Sequence, residues 1–287
     1  MSLYGVSVPA SQHRLAEALE TAQIADSLGA DLVTTGDHPY IPSELDTWTL
    51  LPLILARTER VKVAPNVAPL ALRPPTTLAK ASATLAAVSG GRFVLGLGAG
   101  SVDERVRGFG GAWTTVGEAI GALDEAIPLI RRLWTAGPVS HQGTHYRLSN
   151  ATGGPVPETP IPIWVGAFKP RMLAITGRHA DGWLPTNAYL ELAQVPDMQR
   201  AVDAAAEAAG RDPSQVRRVF NVMGTISDSA PERDDHLVAG SAAHWVRVLR
   251  DYRERLRFDS FVFWPVQGDT REQTRLFFEK VRPHLEG

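Results

Sequence analysis

A (β/α)8 TIM barrel, an α/β fold with insertions in its strand-to-helix loops, is predicted by three features of the 287-residue sequence. The length is close to the ~250 residues of one such barrel. Short β-rich runs alternate with amphipathic helical runs along nearly the whole chain, the signature of a parallel α/β fold. There are eight β-rich runs, and most are apolar on both faces, as parallel strands covered by helices must be. Residues 1–287 read as one domain, because no repeat, low-complexity tract or linker interrupts them. An open doubly wound sheet is the alternative architecture.

The strands expected in order are Tyr4–Val8, Asp31–Thr35, Val61–Ala64, Arg92–Leu97, Pro162–Val165, Gly182–Leu184, Arg217–Met223 and Ser260–Trp264. Leu15, Ala18, Leu19 and Ala22 follow the spacing of a one-sided helix, with Ser11 as its cap and Gly29 as its stop. Leu78, Ala81, Leu85 and Val88 predict a second apolar helix face, with Ser82 beside it. Ala122, Ala126, Leu129, Ile130 and Leu133 predict a third, kinked at Pro128, and Val246, Leu249 and Leu256 a fourth. Gly137–Pro162 breaks the alternation as a Gly/Pro-rich loop with a strand-like piece at His145–Leu148. Asn187–Pro196 and Ser227–His236 read as further loops.

Composition excludes several function classes. Apolar residues make up 44 % and charged residues 21 %, which supports a large core rather than disorder. A formal net charge of -2 gives no basic surface for nucleic acid or membrane. No run reaches the ~18 apolar residues of a membrane span, and the first residues do not read as a signal peptide. The chain has no cysteine, so disulfides and thiolate chemistry are out, and a cytoplasmic location is expected. His13, His141, His145, His179, His236, His244 and His284 are scattered, and no metal site is expected.

A βα barrel builds its active site from strand C-terminal ends and the loops that follow. Asp37 and His38 stand there after the second strand, where a histidine exchanges protons near neutral pH and a carboxylate can set its tautomer. Gly36 and Pro39 also suit an ordinary turn. Asn66 and Val67 follow the third strand, in a loop stiffened by Pro65 and Pro69. Gly98, Ala99, Gly100 and Ser101 follow the fourth, where glycines admit a flat ring close to the backbone or simply pack the barrel top. The run is too late in the chain for a first dinucleotide-binding unit. Gly166, Ala167, Phe168 and Lys169 open a helix after the fifth strand, a place where free amides accept an anion. Pro170 makes an ordinary helix start the competing reading.

As a set, these segments resemble the luciferase-like monooxygenase superfamily. The resemblance rests on Gly36-Asp37-His38, on Ser89-Gly90-Gly91-Arg92 leading into Leu95–Gly100, and on Leu133-Trp134. Pro160–Gly166, Arg171-Met172-Leu173 and Ala180-Asp181-Gly182-Trp183 complete it. It implies a barrel that binds coenzyme F420 or FMN, and the Asp-His pair resembles the F420-dependent branch. Asp37 and His38 would then flank the ring, with His38 moving a proton. Asn66 and Val67 would lie behind it, where the family often has a non-proline cis peptide. Gly98, Ala99 and Gly100 would pass beside it, and Gly166, Ala167, Phe168 and Lys169 would give amides to its phosphate.

Two departures shape the expected substrate. The sugar-phosphate dehydrogenases of that branch carry a glutamate in the glycine run, where this chain has Ala99-Gly100-Ser101. Their phosphate-binding lysine is also missing from Pro185-Thr186-Asn187-Ala188. The aromatic residue that often follows the histidine could be Tyr40 or Trp48. With Ser101, Trp113, Thr186 and Asn187 these are the expected substrate contacts, facing an uncharged or weakly polar molecule. Hydride transfer with F420 is the expected chemistry. The alternatives are an FMN monooxygenase and a non-catalytic cofactor carrier; scattered histidines argue against a metal hydrolase. An F420 or flavin reductase would supply reduced cofactor, and a homodimer through Leu50–Leu55 and Leu78–Val88 is expected.

Overall fold

The structure, a computed structural model, describes residues 2–285. Met1, Glu286 and Gly287, the ends of the expected domain, lie outside the described residues. Eight parallel strands form a ring: β1 Tyr4–Val8, β2 Leu32–Thr35, β3 Lys62–Pro65, β4 Leu95–Gly98, β5 Ile163–Val165, β6 Gly182–Trp183, β7 Arg217–Ile226 and β8 Ser260–Pro265. Gly5 of β1 lies opposite Leu32 on one side and Val262 on the other. The ring closes between β3 and β4 at the parallel bridge Val63–Phe93. There the Val63 N–H donates to Arg92 O and the Val94 N–H to Val63 O, each at 3.0 Å. The predicted barrel is therefore the observed one, and the open sheet is excluded.

A main helix follows each strand: α1 Leu15–Ser27, α2 Thr47–Ala56, α3 Pro75–Ser89, α4 Val116–Leu133, α5 Pro170–His179, α6 Val195–Ala208, α7 Ala242–Glu254 and α8 Thr270–Leu276, with a short extra helix, Glu104–Gly108, ahead of α4. Local chemistry sets their ends. Asp46, Ser241 and Asp269 accept first-turn amides of α2, α7 and α8, and Thr115 with Glu118 forms a capping box on α4. Strand alternation divides the core. Val6, Val33, Val63, Leu97, Val165, Phe220 and Phe263 pack outward under the helices. Leu32, Ala64, Val94, Trp164, Leu184, Val219 and Val262 pack together in a separate cluster inside the ring.

Several expectations need correction. Ser11 does not cap α1 through its side chain; it starts a short turn, and α1 begins at Leu15. Gly29 does end α1, at φ 77°. The buried face of α3 keeps the expected Leu78 and Leu85 and adds Ala79, Ser82, Ala83 and Ala86, whereas Val88 in the last turn is 75 % exposed. The Gly/Pro-rich insertion contains an antiparallel hairpin, Pro138–Gln142 with Arg147–Thr152, rather than one strand-like piece. Its strands are polar and half exposed, so no apolar alternation announces them. Of the helices expected to form a dimer face, Leu50, Leu51, Ile54 and Leu55 are buried within the chain, and Leu53 is exposed. No helix among the described residues is long and apolar enough to cross a membrane.

A buried carboxylate fixes the approach to β3. Asp26 near the end of α1 accepts the N–H groups of Glu59, Arg60 and Val61 at 2.8, 2.9 and 2.8 Å. Burial alone would raise its pKa, but these amides hold it below the ordinary value. A lowered native pKa means the stabilisation is present at neutral pH and is lost as pH falls below the unfolded aspartate value of about 3.9. Asp26→Ala is expected to cost about 2–3 kcal/mol at pH 7 in urea denaturation. The cost shrinks as the pH is lowered through the acid range.

Candidate active site

A cavity of about 270 Å³ opens at the C-terminal ends of the strands. Val67, Gly98, Gly100 and Gly166 line it, with Tyr40, Phe168, Leu184, Tyr189 and Trp264 as the larger apolar groups. His38, Asn66, Ser101 and Thr186 are its polar groups, together with Asp37. The peptide Asn66–Val67 is cis, as the resemblance implied. A Cβ at Gly98 would lie 2.8 Å from Val67 Cγ2, and one at Gly166 would lie 3.4 Å from the same atom. The Val67 side chain thus packs directly on two stretches of bare backbone. The missing Cβ atoms thus make room for Val67, whose side chain forms one wall of the slot.

His38 and Tyr40 are titratable groups that stand partly open to this slot. His38 Nδ1 lies 3.0 Å from Glu44 Oε2. A carboxylate partner places the proton on Nδ1, which leaves Nε2 to accept or return a proton. Its ring meets that of Tyr40 edge-on at 6.0 Å. Burial raises the Tyr40 phenol above its ordinary pKa, so it remains a hydrogen-bond donor at neutral pH. Outside, the Arg105 guanidinium lies 5.5 Å from the Tyr40 ring centre.

Asp37 is differently employed from its neighbour. Its carboxylate takes two bonds from Arg73, Nε to Oδ2 and Nη2 to Oδ1, both at 2.7 Å. The Trp48 indole adds a third to Oδ2 at 3.0 Å. Arg73 also bonds Asp46 at 2.5 Å, which ties the loop after β2 to the start of α2. Burial pushes the Asp37 pKa up, and Arg73 and the Trp48 indole oppose that shift. Asp37 therefore anchors the loop that presents His38, and its oxygens are not aimed at the imidazole.

Other expected contacts sit away from the slot. The Trp48 ring packs on Phe93 at 5.7 Å, and its indole N–H is spent on Asp37. Trp113 packs edge-on against His145 and Tyr146 over the hairpin. Asn187 is fully buried, clamping the backbone of Met223 by bonds of 2.8 and 3.2 Å. Ala167 is buried and accepts the Trp183 indole N–H, and the Lys169 side chain points to the exterior. Ala99 packs on the core between the two lining glycines. Glu44, Arg73 and Trp264 were missed as functional residues. Trp264 could have been found by alternation from inward-facing Val262. A larger cavity, of about 490 Å³, lies at the opposite pole around Lys62, Trp164 and Arg217. None of the expected site residues lines it. No group of three or more histidines and carboxylates among the described residues is arranged to hold a metal.

The Asp37–Arg73 geometry makes a stability prediction. Asp37→Ala leaves a half-buried guanidinium without its bidentate partner and is expected to cost about 3 kcal/mol by chemical denaturation. Wild-type stability with lost turnover would place Asp37 in the chemistry instead.

Comparison with known proteins agrees with this architecture. The luciferase-like monooxygenase family model matches residues 2–275. The F420-dependent glucose-6-phosphate dehydrogenase of Amycolatopsis mediterranei is 31 % identical over 225 residues, covering 76 % of this chain and 67 % of that protein. An F420-dependent secondary alcohol dehydrogenase in complex with an F420-acetone adduct superposes with a TM-score of 0.87 at 19 % identity, covering 100 % of this chain and 99 % of that one. The coenzyme F420 dependent tetrahydromethanopterin reductase of Methanopyrus kandleri also reaches 0.87, at 17 % identity and 99 % coverage of both chains. At such identities these two structures establish the shared fold. With the family matched along nearly its whole length, the chain belongs to the luciferase-like monooxygenases.

Proposed function

We propose that the protein is an oxidoreductase that moves a hydride between coenzyme F420 and a small, uncharged organic substrate. The observation that carries this reading is the slot backed by Val67 and flanked by Gly98 and Gly166, with His38 at its mouth. Val67, seated on the bare backbone of Gly98 and Gly166, gives a planar fused ring a wall to lie against. The helix start beside the slot fits the cofactor's phosphate. No side chain caps the first turn of α5 and Pro170 has no N–H, so the amides of Arg171 and Met172 are the ones left for an anion. The F420-dependent relatives at about 31 % identity support the choice of cofactor.

When bound, F420 supplies a carbon that gives or takes a hydride. The chain's own part is to orient and to move the proton. Val67 limits how deep a ring can sit. Nε2 of His38 takes the hydroxyl proton when an alcohol is oxidised and returns it when a carbonyl is reduced. Glu44 holds the imidazole in that tautomer, and Asp37 with Arg73 holds its loop. Phe168, Leu184 and Trp264 present apolar surface to the reacting centre. Neither lysine nor arginine is among the residues lining the cavity. A phosphorylated sugar would find no cation there, and a neutral alcohol or ketone would find none missing.

Two outcomes check this reading. His38→Ala is expected to lower kcat by about 10²–10⁴-fold with F420 affinity kept, measured by steady-state kinetics and fluorescence titration; unchanged kcat would remove the histidine from the chemistry. In a substrate panel, F420-linked turnover is expected with neutral alcohols or ketones and not with glucose 6-phosphate. The reverse preference would defeat the uncharged-substrate reading.

A further inference from the structure

The barrel axis is crossed just below the slot by a pair of side-chain amides. β3 and β7 stand on opposite sides of the ring, four strands apart in either direction. Asn66 extends from the end of β3 and Asn221 from the middle of β7, and both are buried. Asn66 Nδ2 donates to Asn221 Oδ1 at 2.7 Å, and Asn221 Nδ2 donates back to Asn66 Oδ1 at 3.2 Å. The remaining N–H of Asn66 reaches Thr34 Oγ1 at 3.3 Å, and that of Asn221 reaches Thr186 Oγ1 at 3.2 Å. All four amide N–H groups are thereby used. Such a satisfied network fixes one arrangement of its members. Asn66 and Thr186 line the cavity, whereas Asn221 lies behind them.

The direction of the last bond has a chemical consequence. A hydroxyl that accepts from an amide keeps its own single proton for another partner. Thr186 lines the cavity, so that proton is available to a ligand there. We propose that Asn221 is a positioning residue for the slot: it holds Asn66, and with it the Val67 wall, across the barrel axis. It also turns Thr186 into a hydrogen-bond donor toward a carbonyl oxygen of the bound ring. The second part rests on the F420 reading given above.

The test has two arms. In the ligand-free protein, Asn66→Ala, Asn221→Ala and the double variant are unfolded in urea. The clasp predicts that the double variant unfolds near the midpoint of either single one. Fully additive midpoint shifts would overturn it. In the second arm, F420 is titrated by fluorescence into wild type, Asn221→Asp, Thr186→Val and Thr186→Ser. Asp at 221 accepts where Asn donated, so it captures the Thr186 proton. Asn221→Asp and Thr186→Val are expected to weaken binding about tenfold, and Thr186→Ser to stay within about twofold of wild type. Wild-type affinity in Asn221→Asp would overturn the donor assignment. Failure of the wild type itself to bind F420 would instead overturn the proposed function and the ring contact with it, leaving the urea arm to decide the clasp.

Discussion

Closure of the parallel strand ring is the constraint on which the rest of the structure depends. With every barrel strand paired on both sides, alternate residues are committed to the axis, and side-chain size alone decides whether a level is filled or open. Trp164, Leu32, Val94, Val219 and Val262 fill the interior below. Gly98 and Gly166 stand above, where Val67 meets bare backbone and a slot remains. Between the two lies the amide level of Asn66 and Asn221. Apolar packing, a satisfied polar layer and an open cleft thus follow one another along a single axis.

The charges at the mouth divide their labour according to burial. Asp37 is almost wholly enclosed, and an ionised carboxylate in such a place needs paired donors; Arg73 and Trp48 supply them. Glu44 and His38 are both partly open, so their pairing can persist while the imidazole exchanges a proton. The two acids flank one loop, yet one holds its shape and the other sets the tautomer. Adjacent letters in the sequence, Asp37 and His38, therefore have different partners and different tasks.

The barrel was legible because its signal is local: apolar runs of strand length, and helices of one-sided spacing between them. The cis bond at Asn66, the lining glycines and His38 were reached through the resemblance, with the strand-end rule marking the same places. What stayed hidden was long-range pairing. Arg73 lies 36 residues from Asp37 and Asn221 lies 155 from Asn66, and no periodicity links such positions. Asn221 did leave a trace, as a polar residue between Phe220 and Val222 in an otherwise apolar strand. Trp113 is singled out by the aromatic content of its loop, and Trp48 and Asn187 by the resemblance. Their packing on Phe93, on the hairpin and on the Met223 backbone could not be inferred without the fold. The hairpin itself was obscured because exposed polar strands carry no apolar alternation.

On the proposed function, the slot takes a deazaflavin ring and not merely any flat molecule. Side-by-side titration of the purified protein with coenzyme F420 and with FMN tests it most directly. Saturable binding of F420 to one site per chain, tighter than that of FMN, is expected. Tighter binding of FMN, or no binding of either, would contradict it.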